Sequence, residues 1–229
     1  MQAVLSNTMY RSATQINEAM GRVYMHMMLA VLTSMVVSFG VGSSAELMQF
    51  FFTGWMKWVT IFAPLAAVFG VTIAINANPP RPVAIGLLHG FAALMGLSFA
   101  AIFAVYVMNS IVGAFMGAAV LFGVMSFYGY FTKQNLDSIG KYLLVALIAI
   151  VIASIINVFI GSSLFQMIIS AVAIVVFLGL TAYDTQQIRE MVSVEGNTDA
   201  PEILGALTLY LDFINIFLSL LQLFGDKKE

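Results

Sequence analysis

The chain has 229 residues, of which 61% are hydrophobic and 9% charged, with a net charge of −2 and a mean hydropathy of +0.99. Ordinary soluble domains carry about 25% charged residues. The composition therefore excludes a disordered chain and leaves too little polar surface for a soluble globule, so the sequence reads as a polytopic membrane protein. The absence of Cys excludes disulfides, thiol catalysis and thiolate metal sites. Two His without an HExxH motif build no three-His zinc site. With no basic tract, nucleic-acid binding has no electrostatic footprint.

Residues 1–22 form a polar N-terminal arm with Arg11 and Arg22. The apolar run that follows is about twice the length of a signal-peptide h-region. It is expected to stay as a spanning helix, although Gly42-Ser43-Ser44-Ala45 imitates a cleavage site. A spanning helix needs about 20 apolar residues, and seven runs qualify: roughly 23–43, 59–77, 83–107, 111–131, 142–161, 164–187 and 203–224. Trp55 and Trp58 flank Lys57 before span two, where an interfacial aromatic belt would sit. Asn76-Ala77-Asn78-Pro79-Pro80-Arg81-Pro82 cannot continue a helix. Gly86/Gly90 and Gly113/Gly117 are GxxxG patterns that would let backbones approach. Lys133–Asp137 is a polar turn and Gly161-Ser162-Ser163 a tight one. Glu190, Glu195, Asp199 and Glu202 make the last loop acidic, read as a solvated segment or a cation-concentrating inner mouth. The expected organisation is a single seven-helix bundle over 23–224 with a short tail at 225–229.

Orientation follows from Lys and Arg on alternating sides. One side holds Arg11, Arg22, Arg81, Lys133, Lys141 and Arg189, and the other Lys57, Lys227 and Lys228. The N-terminus is thus expected in the cytoplasm and the C-terminus outside, with a bacterial inner membrane as the preferred site.

Two charges fall within spans: Asp184 near the end of span six and Asp212 inside span seven. A carboxylate at the bilayer centre costs about 2.5–3.5 kcal/mol on insertion scales and normally faces the bundle. At 1.5 Å per residue, Asp184 is placed about 5 Å and Asp212 about 13 Å from the cytoplasmic boundary. Gly205, Thr208, Asp212, Asn215, Ser219 and Gln222 share one face of span seven. In a membrane that face must meet protein or a water-filled cavity, which makes span seven the expected central helix. An interhelical hydrogen-bond seam explains Thr208, Asn215 and Ser219 well and explains a buried Asp poorly.

Two carboxylates a few Å apart in a low dielectric cannot both ionise easily and share a proton. The pair is read as a pH-operated latch between spans six and seven, and its oxygens would suit a hard cation such as Ca²⁺. Arg81, at the start of span three, either holds one of the Asp residues ionised or anchors the span by the positive-inside rule. His89, two turns into span three, is either a proton relay or a neutral histidine bonded to a carbonyl. His26 is read as interfacial.

Gly179-Leu180-Thr181-Ala182-Tyr183-Asp184-Thr185-Gln186-Gln187-Ile188 and Leu207-Thr208-Leu209-Tyr210-Leu211-Asp212-Phe213-Ile214-Asn215-Ile216-Phe217 resemble the Bax inhibitor-1 family of membrane proteins. The resemblance implies six helices around a central seventh and a pH-sensitive calcium leak. It implies a closed state held by hydrogen-bonded Asp at the positions of Asp184 and Asp212, with Tyr183 beside them. A basic residue after span two would engage the pair, and Arg81 is the nearest match, in an unusual Pro-rich context. Bacterial members are linked to a membrane-bound quality-control protease and eukaryotic members to suppression of cell death.

Other functions compete. An intramembrane aspartyl protease also places Tyr-Asp on one span and Asp on the next. It wants Gly-x-Gly-Asp, however, where this chain has Leu209-Tyr210-Leu211-Asp212, and it wants a later Pro-Ala-Leu that does not follow. A non-conducting regulator of membrane partners and a cation/proton antiporter are also compatible with paired carboxylates. The expectation is a non-enzymatic pathway for Ca²⁺ and protons through the lipid bilayer, without a resident cofactor.

Overall fold

The computed structural model describes residues 10–194 and 200–228. Among the described residues the regular structure is helical: α1 (Ala13–Gly42), α2 (Ala45–Phe52), α3 (Met56–Asn76), α4 (Arg81–Val105), α5 (Met108–Phe131), α6 (Asp137–Ile160), α7 (Ser163–Ser193) and α8 (Ala200–Phe224). All but α2 are long and apolar enough to cross a membrane. The chain is an all-α integral membrane protein with seven spans, as its composition requires. Two thirds (67%) of the apolar window of α8 is buried, against 6% in α6 and 39% in α1 and α7.

Several boundaries differ from the sequence reading, each for a local reason. α1 starts inside the polar arm, because Ser12 and Gln15 form a capping box. The Ser12 hydroxyl accepts from Gln15 N at 3.3 Å, and the Gln15 carboxamide accepts from Ser12 N at 2.8 Å. α7 runs on to Ser193, since nothing between Gln186 and Ser193 breaks a helix. Ser44, read as part of a cleavage-site mimic, instead caps α2 by accepting from Leu47 N. No residue of α2 is buried. Trp55 and Trp58 nearby are 71% and 56% exposed, as an interfacial belt would be.

Span two carries a proline that its hydropathy concealed. Pro64 lies inside α3 and has no N–H to give to the carbonyl of Thr60, one turn earlier. The Ser98 hydroxyl on α4 donates to that carbonyl instead. A freed backbone acceptor in a span must be met in this way.

The close helix approaches do not occur at the GxxxG patterns. Gly86, Gly90 and Gly113 have no neighbour where a Cβ would point, and Gly117 meets only the Leu220 side chain. Backbone meets backbone instead at Gly96, against Ser34, and at Gly129, against Ala182.

By packing, the chain divides into two units. The first comprises Met1–Phe99 and Gln187–Thr208, the second Ala100–Gln186 and Leu209–Glu229. In the first, the Ser34 hydroxyl on α1 donates to Ala92 O on α4 at 2.9 Å, beside the Gly96 approach. In the second, Phe213 on α8 meets Phe115 and Phe122 on α5 edge-on, with centroids 5.3 and 5.8 Å apart. The C-terminal tail is also tied down there: Val107 N donates to Asp226 O and Lys228 N to Val105 O.

Candidate functional site

Asp184 and Asp212 both belong to the second unit, and their side chains stand within hydrogen-bonding reach of each other. Asp212 is 4% exposed. Its Oδ2 is buried and meets no hydrogen-bond partner among the described residues. Asp184 is half-buried. Because α7 extends to Ser193, Asp184 lies about 14 Å from the end of its helix, deeper than a boundary near residue 187 implied. Asp212 lies about 18 Å from the start of α8 at Ala200. A carboxylate only accepts. A hydrogen bond between two carboxyl groups therefore needs one proton, and its loss leaves two negative charges facing each other in a largely buried site.

The surroundings of Asp184 are held by polar contacts that the sequence reading did not identify. Thr185 is fully buried, and its hydroxyl lies 3.0 Å from that of Ser126 on α5. The Gln186 carboxamide accepts from Leu136 N at 2.9 Å and donates to Gln134 O at 2.8 Å, fixing α7 to the α5–α6 connection. Tyr183 lies against Gly140 of α6, where any side chain would strike its ring. Ser126 stands far from both Asp residues in sequence, and Gln186, two residues from Asp184, bonds to a connection about 50 residues away, so spacing alone carries no signal for these contacts.

The polar row on α8 is graded. Gly205, Asp212 and Ser219 are buried, Thr208 and Asn215 are half-buried, and Gln222 is exposed. The Asn215 amide donates to Leu211 O of its own helix at 2.7 Å. The row thus alternates between buried and half-buried positions and ends at the exposed Gln222.

Arg81 and His89 lie in the first unit. His89 Nδ1 is 2.9 Å from the Thr33 hydroxyl. That hydroxyl lies 2.8 Å from Leu29 O as a donor, so the imidazole partner is a threonine and not the backbone carbonyl the sequence suggested. Arg81 begins α4 and acts electrostatically on His26, as do His89, Glu202 and Arg22. His26 is buried, with both ring nitrogens unpartnered among the described residues.

Glu202 also departs from the reading of the acidic loop. It is 3% exposed, and Arg22 grips both its oxygens, Nε to Oε2 at 2.8 Å and NH2 to Oε1 at 2.7 Å. Arg11 stands 3.7 Å from Oε1. Its place in the first turn of α8, where a negative charge meets the positive end of the helix, was a usable signal. Glu195 and Asp199 lie outside the described residues. Among the described residues, no three His, Asp or Glu side chains gather as a metal site.

The family model described as inhibitor of apoptosis-promoting Bax1 matches residues 16–229. The chain is 36% identical to Inner membrane protein YbhL of Escherichia coli over 228 residues, covering 97% of each. It is 34% identical to an uncharacterized protein of Rickettsia prowazekii, covering 91% of this chain and 89% of the other. It is 37% identical over 163 residues, 70% of each, to an uncharacterized membrane protein of Streptococcus pyogenes. On the strength of the family match, the chain belongs to the Bax inhibitor-1 family of membrane proteins.

Proposed function

We propose that this protein is a pH-gated cation pathway of the bacterial inner membrane that passes Ca²⁺ down its gradient, with Asp184 and Asp212 as the latch. The observation that carries the reading is the reach of one carboxyl group to the other on neighbouring spans, with Asp212 Oδ2 buried and open. With one shared proton the pair is a neutral hydrogen bond between α7 and α8. Without it the two charges repel, and separation or a cation relieves them. Ca²⁺ takes about six to eight oxygens. The pair supplies a fraction of these, which suits an ion in transit completed by water and carbonyl oxygens.

Support comes also from the half-buried positions of Thr208 and Asn215 beside buried Asp212 and Ser219, and from the burial of α8, two thirds of whose apolar window is enclosed by protein. The name of the Escherichia coli relative supports the inner membrane. The count of basic residues supports a cytoplasmic N-terminus. In this reading His89 has no part in ion passage, and the protein catalyses no reaction. The test is Ca²⁺ entry into dye-loaded liposomes for wild type, Asp184→Asn and Asp212→Asn at pH 6 and pH 8. Absence of flux from folded protein would replace this reading with a non-conducting regulator of membrane partners, such as a membrane-bound protease.

A further inference from the structure

The polar row of α8 ends at Gln222, about 15 Å along the helix from Asp212. There the second unit holds a closed group of neutral side chains from three helices. Gln222 Oε1 accepts from Gln166 Nε2 at 2.7 Å and from the Ser170 hydroxyl at 2.9 Å, both on α7. Gln166 Oε1 accepts from Asn157 Nδ2 of α6 at 2.9 Å. Asn157 Oδ1 in turn accepts from Ser162 N at 3.2 Å in the α6–α7 turn. That turn is fixed by Gly161 at φ 68°, a left-handed position that glycine takes without strain. Ser170 is 1% exposed and Asn157 7% exposed, whereas Gln222 is exposed.

We propose that Gln222, Gln166, Ser170 and Asn157 form a second gate on the pathway, about 15 Å along α8 from the Asp184–Asp212 latch. The inference rests on the cation-pathway reading and adds to it the residues of a second closure. Three features carry it. The group lies on the same helix row as the latch, so whatever passes Asp212 and Ser219 along α8 meets Gln222 next. Within this group, both hydrogen bonds from α7 to α8 converge on one atom, Gln222 Oε1, so one side-chain rotation releases both. Interhelical hydrogen bonds between neutral groups in membranes are individually weak, so the release needs no helix displacement.

The chemistry of this gate differs from that of the latch. None of its four side chains titrates in the physiological range, so the gate is indifferent to pH. Its open state exposes three carboxamide oxygens and a hydroxyl, all hard neutral ligands of the kind that accept a partly dehydrated Ca²⁺. The pathway would then be closed near the middle of α8 by a protonation-dependent bond and toward the helix end by neutral ones.

The natural absence of Cys allows a test of access that does not depend on conduction. Ser219, one turn before Gln222 and buried, lies between the two gates. Ser219→Cys in the full-length protein, reconstituted in liposomes, is exposed to a membrane-impermeant methanethiosulfonate reagent. The experiment is repeated with Gln222→Met and, separately, with Gln166→Met. Each removes the α7–α8 bonds at nearly constant volume, and a monodisperse gel-filtration peak reports folding. The expected result is slow modification of the single-Cys protein and at least tenfold faster modification in both Met backgrounds, each compared with the single-Cys protein at the same pH so that the pH dependence of the thiolate cancels. Fast modification with the network intact would overturn the gate, and so would an unchanged slow rate in both Met variants. Absence of Ca²⁺ flux from wild-type liposomes would instead overturn the pathway, so the two failures are distinguishable.

Discussion

Arg22 on α1 and Glu202 on α8, 180 residues apart in sequence, form a two-pronged ion pair with both bonds at 2.7–2.8 Å and the carboxylate almost fully buried. A guanidinium fork on a carboxylate is the strongest of the charge-assisted hydrogen bonds. A buried pair is weak evidence of net stabilisation, because desolvation offsets its attraction. Breaking it from one side is a different matter. Removal of Arg22 strands a buried negative charge, a loss of about 3–5 kcal/mol in comparable sites. Arg11, at 3.7 Å, compensates in part. Arg22→Ala is therefore expected to cost about 3 kcal/mol, read as a lower unfolding midpoint in detergent. Arg22→Lys recovers only part of it, because an ammonium cannot reproduce the fork. A midpoint unchanged in Arg22→Ala would show the pair to be energetically idle.

Ser98 and Pro64 give a second prediction with an internal control. Ser98→Ala leaves the Thr60 carbonyl unmet in the membrane interior, a loss of about 1–3 kcal/mol. Pro64→Ala restores the N–H of the α-helix and meets the same carbonyl from within α3. The Ser98→Ala penalty should shrink in that background, which a double-mutant cycle reads as coupling. Strictly additive effects would contradict the assignment.

Glycine substitutions separate the true close approaches from the sequence patterns. A Cβ on Gly129 would strike the backbone of Ala182, whereas one on Gly113 would meet nothing. Gly129→Ala is expected to destabilise by about 1–3 kcal/mol, as overpacking does. Gly113→Ala should be neutral or slightly stabilising, since alanine favours the helix. Equal effects at the two positions, measured as folded yield and thermal midpoint, would refute this packing.

What the sequence made legible follows its physics. Hydropathy located all seven spans, because crossing a bilayer demands length and apolarity that composition displays directly. It placed Asp184 and Asp212 on adjacent spans because charges are conspicuous there. It could not locate Gly96 and Gly129, since GxxxG marks only that an approach is sterically allowed. Glu202 was hidden for a related reason: a carboxylate in a short polar loop looks solvated until Arg22 and Arg11 arrive from the other end of the chain. Pro64 was masked by the apolar residues around it. Gln222 read only as the last member of the polar face of span seven and Gln166 carried no signal, and the convergence of Gln166 and Ser170 on Gln222 Oε1 gives them meaning.

The latch predicts distinct behaviour for two kinds of substitution. Asparagine at Asp184 or Asp212 keeps a permanent hydrogen-bond donor in the pair, so the closed state no longer depends on a proton. Alanine at Asp212 removes the bond and leaves the pathway unlatched. Ca²⁺ flux should be low and flat with pH in Asp212→Asn, and high and flat in Asp212→Ala. Matching flux in the two variants would argue against a hydrogen-bonded latch.

The central claim is tested most directly by Ca²⁺ entry into dye-loaded liposomes bearing the purified wild-type protein at pH 6 and pH 8, alongside Asp184→Asn and Asp212→Asn. The account predicts greater entry at pH 8, where the shared proton is lost, and no pH difference in either variant. Wild-type flux no greater than that of empty liposomes, with the protein folded, would contradict it, as would a pH dependence that survives both substitutions.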